Sequence, residues 1–282
     1  MNNIKLHNCF IAVHDHDEAL AFYREIGDTQ RLAGTLSNLG LATMYQGAYA
    51  QARALFTESL ALRRTLGDKR GLALTLGNLG ELARFEGDYA QAGPLLQESL
   101  ALRRELADKW GVALILYTLG DIAVMTGDLP RGQALLEESL ATRRALGDNR
   151  GAANSLLSLG KLATRQGDLA QARARFAEAL VFYRDQDSRI GIAQSLEQIA
   201  ALAAAQQPPA CAVRLLGAAS ALRTALGAPL PPGDQPDSTR ILTGVQAALD
   251  PDAFAAAWAA GAALPREAAV ADALAFCTSP AP

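Results

Sequence analysis

Between Asp68 and Glu86, the residues Leu72, Ala73, Leu76, Leu79, Gly80 and Ala83 recur at three- and four-residue steps, which marks one apolar face of a helix. Gly87-Asp88 then interrupts the pattern: glycine ends one helix in a left-handed turn and aspartate caps the next. From Tyr89 it resumes with Ala92, Leu95, Leu96, Leu100 and Leu102, and Ala107-Asp108 closes it. The whole unit recurs every 40 residues: Leu39-Gly40, Leu79-Gly80, Leu119-Gly120 and Leu159-Gly160 lie in step, with Ile199-Ala200 as a weaker fifth copy. Glu58-Ser59-Leu60, Glu98-Ser99-Leu100, Glu138-Ser139-Leu140 and Glu178-Ala179-Leu180 keep the same interval. Each period therefore predicts two helices, and a hairpin of this kind buries its faces only by stacking on its neighbours.

Gly40, Gly80, Gly120 and Gly160 fall in the middle of first helices, where glycine costs about 1 kcal/mol against alanine. The repeated cost predicts close helix approach, with Ala52, Ala92, Gly132 and Ala172 as the expected partners.

These markers resemble the tetratricopeptide repeat. Leu36, Leu39-Gly40, Thr43, Ala52, Phe56 and Ser59 stand at its signature positions, as do Leu76, Gly80, Ala83, Ala92, Leu96 and Ser99 in the next copy. Leucine replaces the signature tryptophan, and Arg64, Arg104 and Arg144 replace the terminal proline. The 40-residue period is similar to the long-repeat subclass of kinesin light chains and bacterial signalling regulators. The resemblance covers roughly residues 12–227. It implies an all-α, right-handed superhelical solenoid of antiparallel helix pairs with a small C-terminal helical cap. The expected division is a partial repeat at 1–28, four full repeats at 29–187 and a degenerate fifth at 188–227. A Pro/Gly linker at 228–236 and a helical cap and tail at 237–282 follow, the latter with helices near 237–249, 251–262 and 266–277.

The front begins half-way through a repeat. Either residues 1–13 supply a cap or the chain is a piece of something longer, and the second reading is preferred. The tail, with Leu215-Leu216-Gly217, Leu226-Gly227-Ala228-Pro229-Leu230-Pro231-Pro232, Trp258 and Gly261, resembles the end of bacterial LuxR-type and signalling-NTPase regulators. That resemblance implies attached NTPase or DNA-binding domains, which have no counterpart in this sequence.

Composition narrows the function. Hydrophobic residues make up 50% and charged residues 20%, enough for a folded core. A net charge of −3 and a pI near 5.7 argue against direct nucleic-acid binding. No membrane span or secretory signal is expected, and three dispersed cysteines, Cys9, Cys211 and Cys277, suggest a cytoplasmic protein. No phosphate-binding Gly-x4-Gly-Lys string and no nucleophile elbow occurs, so no catalytic residue, cofactor or metal is expected. His14 and His16 read as part of a solvated end, since residues two apart on a helix do not face each other. The pairs Arg63-Arg64, Arg103-Arg104 and Arg143-Arg144 read as solvated, locally neutralised helix ends. Trp110 stands where Arg70 and Arg150 stand in neighbouring copies, either as a contact anchor or as a cover for the next turn.

In the resembled family the first helices line a concave groove. Carried onto this chain, the groove positions include Tyr45 in copy one and Glu81, Arg84 and Phe85 in copy two. Copy three contributes Tyr117, Asp121 and Met125, and copy four Lys161 and Arg165. Structural markers repeat while these residues do not. Large apolar groups at positions expected to meet solvent, beside acids and bases, suit a protein or peptide segment with apolar anchors and mixed charge. A carboxylate-clamp groove is not expected, because Arg84 is the only base offered by copies one to three. The reading is a non-enzymatic interaction or sensor module of a bacterial regulator. The alternative is a stand-alone scaffold, homodimeric through its N-terminal end.

Overall fold

The computed structural model of the 282-residue chain describes residues 16–206 and 209–279. The repeat helices are α1 (His16–Ile26), α2 (Thr29–Tyr45), α3 (Tyr49–Leu66), α4 (Lys69–Glu86), α5 (Tyr89–Glu105), α6 (Lys109–Thr126), α7 (Leu129–Ala145), α8 (Asn149–Gln166), α9 (Leu169–Asp185), α10 (Arg189–Gln206) and α11 (Pro209–Leu226). A 3-10 turn, Pro232–Asp234, then leads into α12 (Gln235–Ala247), α13 (Pro251–Ala262) and α14 (Arg266–Thr278). Five pairs, α2/α3 to α10/α11, stack in sequence, with α1 packed on α2 in front. The result is an all-α solenoid, closed at the back by three short helices that pack on α9, α10 and α11. His14 lies outside the described residues, as does Pro208.

The breaks fall where the chemistry demands them. Gly27, Gly47, Gly67, Gly87, Gly127, Gly147 and Gly167 adopt φ of +65° to +90°, a region where a side chain is strained. One residue on, Asp28, Asp68, Asp88, Asp128, Asp148 and Asp168 accept the N–H three positions ahead, the usual role of a capping carboxylate. Ala107 takes the same left-handed turn at φ +52° with its methyl group in place.

The mid-helix glycines make room for a different partner from the one expected. A Cβ on Gly40 would lie 2.7 Å from the Phe56 ring, on Gly80 2.6 Å from Leu96, on Gly120 2.7 Å from Leu136 and on Gly160 2.3 Å from Phe176. The residue four positions past each expected alanine fills the space, because it is the large side chain that points across the hairpin. Ala52, Ala92 and Ala172 are fully buried beside these contacts. Two of the expected pairs do approach through backbone: a Cβ on Gly80 would lie 3.5 Å from the Ala92 carbonyl, and one on Gly132 3.3 Å from the Gly120 carbonyl.

The arginine pairs also need correction. Arg63, Arg103 and Arg143 are buried, not solvated. Arg63 Nη1 donates to Asp68 Oδ2 at 3.0 Å and Arg103 Nη1 to Asp108 Oδ2 at 2.7 Å. Their Nε atoms reach Ser59 and Ser99 at 3.2 and 3.3 Å. Ser59, Ser99 and Ser139 donate in turn to the carbonyls of Ala33, Ala73 and Ala113, each at 2.7 Å. One arginine thus ties the end of a second helix to the cap of the next repeat. Gly71, Gly111 and Gly151 leave space for it: a Cβ there would sit 1.4 to 1.7 Å from the guanidinium. The second arginine of each pair is exposed and faces a glutamate of the next second helix, as in Arg64–Glu98 at 3.9 Å and Arg104–Glu138 at 3.8 Å. Such exposed pairs contribute at most about 1 kcal/mol each.

Among the described residues α6 is long and apolar enough to cross a membrane, but 61% of it is buried in the fold, as a core helix requires. At its first turn Trp110 is 54% exposed. In the cap, Phe254 and Trp258 stack at 5.9 Å, and α13 sits so close to α11 that Gly217 faces the Trp258 carbonyl and Gly261 the Arg214 carbonyl.

Candidate functional site

The first helices α2, α4, α6, α8 and α10 share one face, and that face lines a cavity of about 260 Å³. Eight of the nine groove candidates line it: Tyr45, Arg84, Phe85, Tyr117, Asp121, Met125, Lys161 and Arg165. Glu81 does not, although its charge reaches Tyr45.

Tyr45 meets Phe85 edge-on, with centroids 6.3 Å apart, and the Arg84 guanidinium lies 4.5 Å above the Phe85 ring. Arg143 approaches the Tyr117 ring from the seam at 5.3 Å. Tyr45 is 60% exposed, so the expectation of an apolar group in solvent holds there. Phe85, Tyr117 and Met125 are half-buried and line the cavity together with Pro229 and Leu230 of the C-terminal segment.

Asp121 was expected on an open surface but is buried. Its Oδ1 accepts from Ser158 Oγ at 2.6 Å, with Lys161 Nζ 4.0 Å away, and its Oδ2 faces Arg84 Nη1 at 3.3 Å. Burial alone would raise its pKa; Lys161, Arg84 and the Ser158 hydrogen bond more than offset that and hold the carboxyl below its ordinary range. The same carboxylate holds Arg84 and Lys161 above their ordinary values against desolvation. Glu81 moves the other way: desolvation raises its pKa, and Arg84 and Arg143 only partly counter it. Glu81 first, and then desolvation, push Tyr45 up to about 12. Arg165 donates to the Val124 carbonyl and to the Met125 carbonyl at 3.2 Å, which fixes it across the end of α6.

The stretch expected as a linker, 228–236, is not a free tether. After Gly227 it runs through residues 228–231 without regular structure, past Pro229 and Leu230 at the cavity wall, and turns at Pro232–Asp234. Gly233 meets the end of α4 so closely that a Cβ would lie 2.7 Å from the Arg84 carbonyl and 3.2 Å from that of Phe85. Asp237 then pairs with Arg165 at 3.2 Å. At the other end Arg223 holds Glu197 with two bonds, 2.5 and 2.9 Å, and donates to the Ala228 carbonyl at 3.4 Å. Sequence reasoning missed Gly233, Asp234 and Asp237 as groove residues. The signal available was two acids within a proline-rich run, which by composition alone reads as a turn.

Arg84 and Lys161 share the one carboxylate of Asp121 and make a floor with an excess positive charge, and the aromatic groups make an apolar wall. Among the described residues no histidine, cysteine and carboxylate cluster could hold a metal. A second cavity of about 480 Å³ adjoins the first beyond Pro229 and Leu230, lined by Arg223, Leu242 and Trp258.

No match is found among curated proteins. Among solved structures, the crystal structure of BtubC (BKLC) from P. vanneervenii is similar over 77% of this chain and 92% of that chain, with a TM-score of 0.58 and 19% identity. At that identity the likeness concerns the fold. The family model of the tetratricopeptide repeat matches residues 31–105 and 111–185, which is more than half of the sequence. With the stacked pairs and the seam described above, this chain belongs to the tetratricopeptide repeat family, whose repeats are scaffolds for protein–protein interaction.

Proposed function

We propose that the protein captures a segment of a partner protein in its concave groove, through Tyr45, Phe85 and Tyr117 as apolar contacts and Arg84, Lys161 and Arg165 as charged ones. The observation that supports this reading is the convergence of eight non-repeating side chains on one cavity, in a chain whose structural positions otherwise repeat. The module is the sensor part of a cytoplasmic bacterial regulator, a reading supported by the tail's sequence likeness, and it performs no chemistry of its own. Binding of the segment changes the solenoid's curvature or its contact with an attached domain.

A peptide selected from a displayed random library against the full chain provides the test. The double variant Phe85→Ala/Tyr117→Ala should weaken its binding by about tenfold or more, in line with the loss of aromatic anchors at an interface, with helicity unchanged by circular dichroism. Binding unaltered in the double variant removes the groove from the account.

A further inference from the structure

The groove already contains peptide. Residues 228–233 cross from the end of α11 to the end of α4, and Gly233 touches backbone there, a contact that no other residue type permits. Two acids arrive with it. Asp237 pairs with Arg165, and Asp234 lines the same cavity as Arg84 and Lys161, where its charge acts on both. Three features define how this segment sits: a proline-containing stretch without regular structure over 228–231, a close glycine contact on α4, and two carboxylates, Asp234 at the end of the 3-10 turn and Asp237 in the first turn of α12, on the cation side of the cavity. Pro231 has φ −57° and ψ 146°, the extended conformation that costs little entropy to dock.

The floor explains the charge preference. Arg84 and Lys161 share Asp121, and Arg165 is left for the incoming chain. With residues 228–237 withdrawn, Arg165 loses its carboxylate and Arg84 and Lys161 lose the field of Asp234. The groove then presents Arg165 without a carboxylate and Arg84 and Lys161 with only Asp121 between them.

We propose that residues 228–237 are a built-in, displaceable occupant of the groove, and that the partner which replaces them carries a proline-containing acidic segment, its acids on a turn that opens a helix, seated on Arg84, Lys161 and Arg165. This rests on the groove being the partner site. The tethered segment competes at a high effective concentration, so a partner binds only when its own contacts exceed those of the strap, or when the strap is released.

The probe is a fluorescein-labelled synthetic peptide of residues 228–241, followed by anisotropy against the full chain. The wild-type protein should take it up weakly. Gly233→Val, whose new methyl groups meet the Arg84 carbonyl, should unseat the strap and bind the peptide about tenfold tighter or more, since the internal competitor is removed. The same valine placed in the peptide should abolish its binding, and Asp234 and Asp237 replaced by Asn in the peptide should weaken it and reduce its dependence on salt. Amide exchange over residues 229–241 should accelerate in Gly233→Val. Asp237→Asn, which leaves the backbone contact intact, should gain binding in the same direction to a smaller extent.

Faster exchange without a gain in peptide binding overturns the proposal, as does unchanged exchange in Gly233→Val. In either case the groove reading survives if the library-selected peptide still depends on Phe85 and Tyr117, and it falls with the proposal if that dependence is also absent. Equal binding of the acidic and the Asn-substituted peptide overturns the acidic class of partner.

Discussion

Arg63, Arg103 and Arg143 stand at 40-residue intervals on the second helices, and each faces the aspartate five residues on, Asp68, Asp108 and Asp148. Leu41, Glu81, Asp121 and Lys161 stand at the same interval on the first helices and run from apolar through acidic to basic. At the seam every copy must meet a neighbour identical to itself, so the same serine, arginine, aspartate and glycine recur. In the groove the copies jointly build one asymmetric surface, and equivalent positions become complementary: Asp121 of one repeat binds Lys161 of the next. Repetition therefore marks where the solenoid holds itself together, and its loss marks where the repeats have taken separate tasks.

Asp121 breaks this division most sharply, since it faces the groove and yet is buried like a seam residue. Asp121→Ala should cost about 3 kcal/mol in a urea unfolding experiment, at the lower end of what breaking a buried pair costs, because Arg84 and Lys161 are left half-buried without their partner. The sign with pH follows from its lowered pKa. The stabilisation is fully present above the ordinary carboxyl value of 3.8 and is lost as pH falls through the lower folded value. The stability difference between wild type and Asp121→Asn should accordingly shrink under acid.

At the seam, Gly111→Ala places a methyl group against the Arg103 guanidinium and should destabilise by about 1–3 kcal/mol in the same assay, the usual cost of overpacking. No comparable loss is expected for Tyr45→Ala, an exposed groove residue, and an equal loss there would erase the distinction between the two surfaces.

Glu81→Gln sharpens the comparison by its opposite sign. The carboxyl pKa is raised on folding, so the ionised form opposes folding above the ordinary value of 4.5. The glutamine variant should be more stable than wild type at pH 7, and the gain should vanish in acid, as read by thermal melts across pH. The smallest effect is expected at the turn, where Ala107→Gly relieves a left-handed alanine and should raise stability by about 1 kcal/mol or less, seen as a higher urea midpoint with an unchanged slope.

The helix pairs were legible because each rests on local rules. Apolar spacing set the faces, glycine and aspartate set the ends, and the helices found at 251–262 and 266–278 lie within a residue of their expected bounds. The seam was misread because its bonds join residues that hydrophobic periodicity does not connect: Ser59 bonds to a carbonyl 26 residues back, and Arg63 lies in space beside Gly71. A signal existed within the chain. At the end of copy four Arg143 becomes Tyr183 and at the start of copy five Asp148 becomes Ser188, so the two partners change together. The groove positions follow from the family resemblance, but Asp121's burial does not, since it depends on the neighbouring repeat bringing Ser158 and Lys161 into reach. The position of the strap was out of reach for a different reason: composition marks 228–236 as irregular without saying where an irregular segment lies.

Six peptide units separate Gly227, at the end of the fifth pair, from Gly233, against the second. Fully extended, they span about 20 Å at most. The segment is therefore a chord drawn across the arc of the solenoid, and its length sets an upper limit on the gap between its two anchor points. While Gly233 is seated, the superhelix can tighten but cannot spring open past that limit. The chain thus carries its own gauge of curvature, calibrated to the number of repeats it bridges.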